Sequence, residues 1–304
     1  MHWAWLMPLA WVLAVPGGGA LQPDKAALEQ TVDRGASPWL VGPRVDTASN
    51  HPPRRIVTRA RDVVLIPPDC LGDSESYDVV IHFHGIHTAL EPAMARSGLR
   101  AVMLILDDGI GASVYSQKYQ FDWSLGWLLR RVDRIVGEHC PMPGRHVGRV
   151  ALSAWSAGYA AVWRILTHPE AAANVDAVLL ADGLHARLGD GGELGAADMR
   201  PFLRFARNAV AGRKLLSITH SEIPTPGYAS TTETADYLLA ELGVRRLPER
   251  HDGPRPGMVR LSTAERGFFS VEGYGGISKR AHSDHQWAMG STLLPRLKDW
   301  WTRN

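Results

Sequence analysis

Several things are scarce in this chain of 304 residues. The apolar N-terminal stretch from Trp3 to Val15 falls short of the ~20 residues a membrane-spanning helix needs, so no transmembrane segment is expected. No block of Lys or Arg stands out and the formal net charge is +2. A nucleic-acid partner is therefore not implied. There are 2 cysteines, too few for a disulfide framework but enough for one bridge. Internal repeats and long low-complexity tracts are absent. What is abundant is apolar content, 45% hydrophobic, enough for the large core of one α/β domain.

The N-terminus carries an address more than a fold. An apolar run followed by small residues at Gly18 and Ala20 reads as a signal peptide over residues 1–20, although only the terminal amine supplies its positive charge. Residues 21–304 are then expected as one catalytic domain, exported to the periplasm or beyond. An oxidising compartment would let Cys70 and Cys140 pair; two separate buried thiols are the alternative.

Along the chain, short apolar runs alternate with helical patterns. Strands are expected at Asp62 to Ile66, Asp78 to Phe83, Ala101 to Leu106, Val147 to Leu152, Val175 to Leu180, Lys214 to Thr219 and Gly267 to Val271. Trp123, Trp127, Leu128, Val132, Ile135 and Val136 recur at helix spacing, as do Ala160, Val162, Trp163, Ile165 and Leu166. Their aromatic members are expected in the core. Near-continuous apolar strands separated by helices imply a mostly parallel sheet covered on both faces. Leu188 to Gly195 reads as a mobile loop.

The stretch Val150 to Ala161, VALSAWSAGYAA, joins a strand to a helix through a turn at Ser156. A nucleophile in such a turn needs small residues two places before and after it, and Ala154 and Gly158 meet that need. Ser153 would have Trp155 in one of those places, so Ser156 is the better candidate. The pattern resembles the G-x-S-x-G nucleophile elbow with Ala for the first Gly. Upstream, Val79 to His87 is a strand ending in His84-Gly85; downstream, Ala281 to Ala288 reads AHSDHQWA. In this order the three segments make the chain resemble the α/β-hydrolase superfamily across residues 62 to 300.

That resemblance implies a mostly parallel eight-stranded sheet with helices on both faces. It also implies a Ser–acid–His order, with Ser156 as nucleophile and an oxyanion hole from the backbone N–H groups of Ile86 and Ala157. His84 would buttress the turn. The base would be His282 or, failing that, His285. Ser283 and Gln286 read as a capping box, which would start the last helix after His282. The acid is open between Asp182, at the end of the sixth strand, and Glu222, at the end of the next, with Asp176 and Asp284 behind them. Glu233 is set aside, because Ser230 to Glu233 reads as a helix cap. The family inserts lids between these strands, so residues 185–212 are a candidate lid, with Phe202 and Phe205 as substrate contacts or as packing. The family's neighbouring third and fifth strands would also bring Cys70 and Cys140 together, at the sheet end opposite the site.

A rival chemistry rests on His82, His84 and His87, whose H-x-H-x-x-H spacing resembles metallo-β-lactamase-like hydrolases. Ile86 stands where that motif carries Asp, and His146 or His220 would have to complete the site. The favoured expectation is a serine hydrolase of carboxylic esters, small-molecule or polymer-borne, that needs no cofactor. A peptidase or amidase on the same triad and a non-catalytic binding protein remain alternatives. No protein partner is implied.

Overall fold

The computed structural model describes residues 52–58 and 62–304; the expected signal segment lies outside them. Every expected strand is present. β1 (Arg54–Val57), β2 (Val63–Ile66), β3 (Ser76–Phe83), β4 (Val102–Leu106), β5 (His146–Trp155) and β6 (Ala177–Ala181) are followed by the two-residue β7 (Ala186–Arg187). Then come β8 (Leu215–His220), the two-residue β9 (Tyr228–Ala229), β10 (Leu247–Asp252), β11 (Val259–Arg266) and β12 (Phe269–Tyr274). The main sheet runs in the order β1-β2-β4-β3-β5-β6-β8-β12-β11-β10.

The expected count of eight strands is thus corrected to ten. From β4 to β12 all pairings are parallel, and both margins are antiparallel. β10 and β11 extend the sheet beyond β12. Their solvent-facing residues lack the buried run that betrays the central strands.

Alternation along the strands feeds two cores. Val79, Ile81, Phe83, Leu152 and Leu180 face one layer, with α2 (Ala112–Lys118), α3 (Ser124–His139), α4 (Tyr159–Thr167), α6 (Ala196–Val210) and α7 (Thr231–Leu242). The short α5 (Pro169–Ala173) follows α4. Val80, Met103, Ala151 and Leu179 face the other layer, with α1 (His87–Ser97) and α9 (Leu293–Arg303). The helix α8 (Lys279–Trp287) completes the set.

One expectation about these helices changes. On α3, Leu128, Val132, Ile135 and Val136 are buried, but Trp123 and Trp127 are exposed; Trp123 stands at the N-terminal end, beyond the helix's buried face, and stacks on Phe121 in solvent. Phe202 and Phe205 on α6 are buried in the main core, as the packing reading expected. The stretch Leu188 to Gly195 closes as a hairpin through a Leu188–Leu194 bridge and a bond from the Gly189 amide to the Glu193 carbonyl. The capping box of Ser230 and Glu233 is present as expected.

Candidate active site

Ser156 follows β5 with φ +49°, a left-handed conformation costing about 1–3 kcal/mol for a non-glycine residue. Close packing holds it there. A Cβ on Gly158 would strike the carbonyl of Phe83, and one on Gly183 would strike the backbone of Ser156. Asp182, just before Gly183, ends β6 with φ +43°, and His84 ends β3 with φ +64°. Three neighbouring strands therefore end in left-handed residues beside one another.

Asp182 is buried and its carboxylate is fully used. Oδ1 accepts from the Ser221 amide and the Thr231 hydroxyl, each at 2.8 Å, and Oδ2 accepts from His282 Nδ1 at 2.7 Å. Burial alone would push this carboxyl up. The His282 hydrogen bond, nearby His285 and the Ser221 amide outweigh it and hold the group well below the usual carboxylate range. His282, with its side chain 27% exposed, is thus fixed as the tautomer that leaves Nε2 outward.

His282 lies inside α8, not before it. The helix is capped by Ser278, whose hydroxyl accepts from the Ala281 amide, while Ser283 donates to the Arg280 carbonyl. The expected box of Ser283 and Gln286 is therefore corrected. His285 is buried, its Nδ1 hydrogen-bonded to Thr219 at 2.9 Å, and burial lowers its pKa to about 4. The Asp182 carboxylate bonds His282 instead. Glu222 is exposed and accepts from the Gly276 amide at 3.3 Å. Asp176 accepts from the Val150 amide, and Asp284 pairs with Arg255.

Sequence reasoning missed Trp155. Its indole stacks on His84 at 5.3 Å, touches the His282 ring at 4.7 Å and donates to the His282 carbonyl at 3.0 Å. The place before Ser156 thus carries a spacer between the His84–Ile86 turn and the His282 segment. Its only sequence signal was a large aromatic residue where a small one would serve.

The turn His84-Gly85-Ile86 is pinned from several sides. His84 Nδ1 meets the Tyr115 hydroxyl at 2.9 Å, and His82 Nε2 donates to the His84 carbonyl at 2.9 Å. His82 Nδ1 must then accept from Ser153, 3.0 Å away across the β3–β5 register. Both groups are buried, and burial lowers the pKa of His82 to about 3. Ser153 is thereby a structural donor. The Ile86 amide donates to Gln286 Oε1 at 3.2 Å.

The three histidines of the metal reading diverge. His82 points to Ser153, His84 to Tyr115 and His87 to Glu91 and Arg55. His146 bonds the Gly144 carbonyl, and His220 lies buried against Arg246. Among the described residues, no group of three or more His, Cys, Asp or Glu is arranged to hold a metal ion.

At the other end of the sheet Cys70 and Cys140 form a disulfide, with Cα atoms 5.4 Å apart. Both precede the N-terminal ends of adjacent strands, as the family's strand order implied.

No protein-family model and no curated protein matches the chain. Among solved structures it is similar to the enterobactin esterase FES from Shigella flexneri, at 13% identity and TM-score 0.50, over 84% of this chain and 60% of that one. It is also similar to LpqC, a poly(3-hydroxybutyrate) depolymerase from Bordetella parapertussis, at 16% identity and TM-score 0.41, over 81% and 90%. The siderophore hydrolase EstB from Aspergillus nidulans follows at 14% and 0.42, over 85% and 99%. With β1-β2-β4-β3-β5-β6-β8-β12 as its sheet order and Ser156 in the turn after β5, the chain has the α/β-hydrolase fold.

Proposed function

We propose that the protein is a serine hydrolase that cleaves carboxylic esters. The observation that carries this reading is the 2.7 Å bond between buried Asp182 and half-buried His282, beside a strained Ser156. Ser156 Oγ attacks the ester carbonyl while His282 Nε2 takes its proton. The same nitrogen returns the proton to the leaving alkoxide, and water repeats the cycle on the acyl-enzyme. Asp182 holds the tautomer and stabilises the imidazolium. The N–H groups of Ala157 and Ile86 face the developing oxyanion. The Cys70–Cys140 bridge supports export to an oxidising compartment.

A fluorophosphonate probe, which captures the activated nucleophile of serine hydrolases, tests this directly. Labelling is expected at Ser156, and Ser156→Ala should abolish both labelling and turnover of p-nitrophenyl acetate. Labelling elsewhere, or activity persisting in that variant, would remove the assignment.

A further inference from the structure

The left-handed turn at His84 and Gly85 is not a conformation the backbone favours, so something must hold it. Two of its anchors, His82 and Tyr115, come from the elbow's own side. The third comes from the helix that carries His282. Gln286 sits four residues after His282, one helical turn along the same face, and its side chain is buried.

Its carboxamide lies against the turn. Oε1 accepts from the Ile86 amide, and Nε2 occupies the space that a side chain on Gly85 would need. That Nε2 is buried with no hydrogen-bond partner. A buried unpaired amide is destabilising, because its lost hydration is not replaced. A shorter apolar residue on α8 would avoid the cost. A residue retained only for packing would have no use for a carboxamide here.

We propose that Gln286 is a positioning residue of the hydrolase, fixing the oxyanion turn at the correct distance from the base. The inference rests on the serine-hydrolase reading. At 3.2 Å the Ile86 bond is long enough to be shared, so the amide can still donate to a carbonyl oxygen while Gln286 holds its direction. Gln286 acts through Ile86 and does not touch the reacting atoms.

The test compares Gln286→Met, which keeps length and loses the acceptor, with Gln286→Glu, which keeps an acceptor oxygen. In the full chain, Gln286→Met should lower kcat for p-nitrophenyl acetate on the order of 100-fold, the scale of a misplaced group, with KM within about twofold. Its rate of phosphonylation at Ser156 should fall in parallel. Gln286→Glu should be weak at neutral pH, where a buried carboxylate faces the forming oxyanion. It should recover relative to wild type as the pH is lowered and the neutral carboxyl restores the amide's geometry. A merely packing residue would leave the phosphonylation rate of folded Gln286→Met at the wild-type value. If wild-type Ser156 is labelled and Gln286→Met is labelled equally fast, the positioning role is overturned and the hydrolase reading stands. If wild type is not labelled at Ser156, the hydrolase reading itself falls. Should the Met variant not fold, Gln286→Leu replaces it: a parallel fall in kcat and in Ser156 phosphonylation at unchanged KM supports the role, and wild-type rates reject it.

Discussion

The two ends of the parallel strands differ in what holds them. Where β3, β5 and β6 finish, His84, Ser156 and Asp182 all hold positive φ, at about 1–3 kcal/mol each. Where β3 and β5 begin, the chain is tied down. Cys70 and Cys140 are bridged, and Arg145 donates to the carbonyls of Cys70, Gly72, Ser74 and Cys140. Arg149 pairs with Asp78 nearby. Left-handed residues occur at both ends, with Cys70 and Leu71 beside the bridge, but the covalent tie and the Arg145 and Arg149 ties lie at the end away from Ser156 and Asp182. The division predicts that substitutions at one end change rate and those at the other change stability.

Asp182→Asn is the sharpest way to test the first half. The amide would present a donor to His282 Nδ1 and favour the wrong tautomer, so kcat should fall on the order of 10⁴-fold. Glu222→Gln should leave kcat within a few-fold, since that exposed carboxylate accepts from the Gly276 amide while His282 pairs with Asp182. Steady-state kinetics on one ester checks both. The reverse ranking would move the acid to the end of β8 and detach the strain at Asp182 from the chemistry.

Much of this end was legible in the sequence because its constraints are local. Ser156 needs small neighbours within two residues, and Asp182 ends a run whose five strand residues are all buried. The central strands showed for the same reason, whereas Arg54–Val57 and Leu247–Asp252 are mostly exposed and carry no buried run to mark them. The start of α8 was misplaced because Ser278 and Ser283 are equally able to cap a helix, and only the surrounding fold selects Ser278. Trp155 was missed and Gln286 misread for a different reason: their partners lie 127 and 200 residues away. No local pattern encodes such a contact.

The second half of the division is tested by removing the bridge. Cys70 and Cys140 are 70 residues apart, for which the chain-entropy model gives about 4 kcal/mol of stabilisation. The double variant Cys70→Ser, Cys140→Ser should lose that much in urea unfolding yet keep wild-type kcat well below its melting temperature. Arg145 still joins the same loops, so the fold at the far end should not move. A parallel fall in kcat would show that the two ends are coupled and would end the separation drawn here.

Acid should separate the ends by a smaller amount. His285 lies one turn from His282 and is fully enclosed, and burial keeps it neutral down to about pH 4 against an ordinary value near 6.5. Below pH 6.5 the unfolded chain therefore binds a proton that the folded chain refuses. Stability contributed by the neutral ring is intact above that pH and is lost progressively until the folded ring also protonates near pH 4. One such group costs at most about 1.4 kcal/mol per pH unit in that window. His82, lowered to about 3 by burial, adds to the same trend and extends it further into acid. The disulfide at the opposite end does not titrate. His285→Gln keeps a polar partner for the Thr219 hydroxyl but has no proton to bind. Unfolding free energies at pH 7, 6 and 5 should therefore decline less steeply in this variant than in wild type, by about 1 kcal/mol per unit. Parallel slopes would mean that acid acts on the molecule elsewhere, and that the neutral rings behind the site are not what limits its stability.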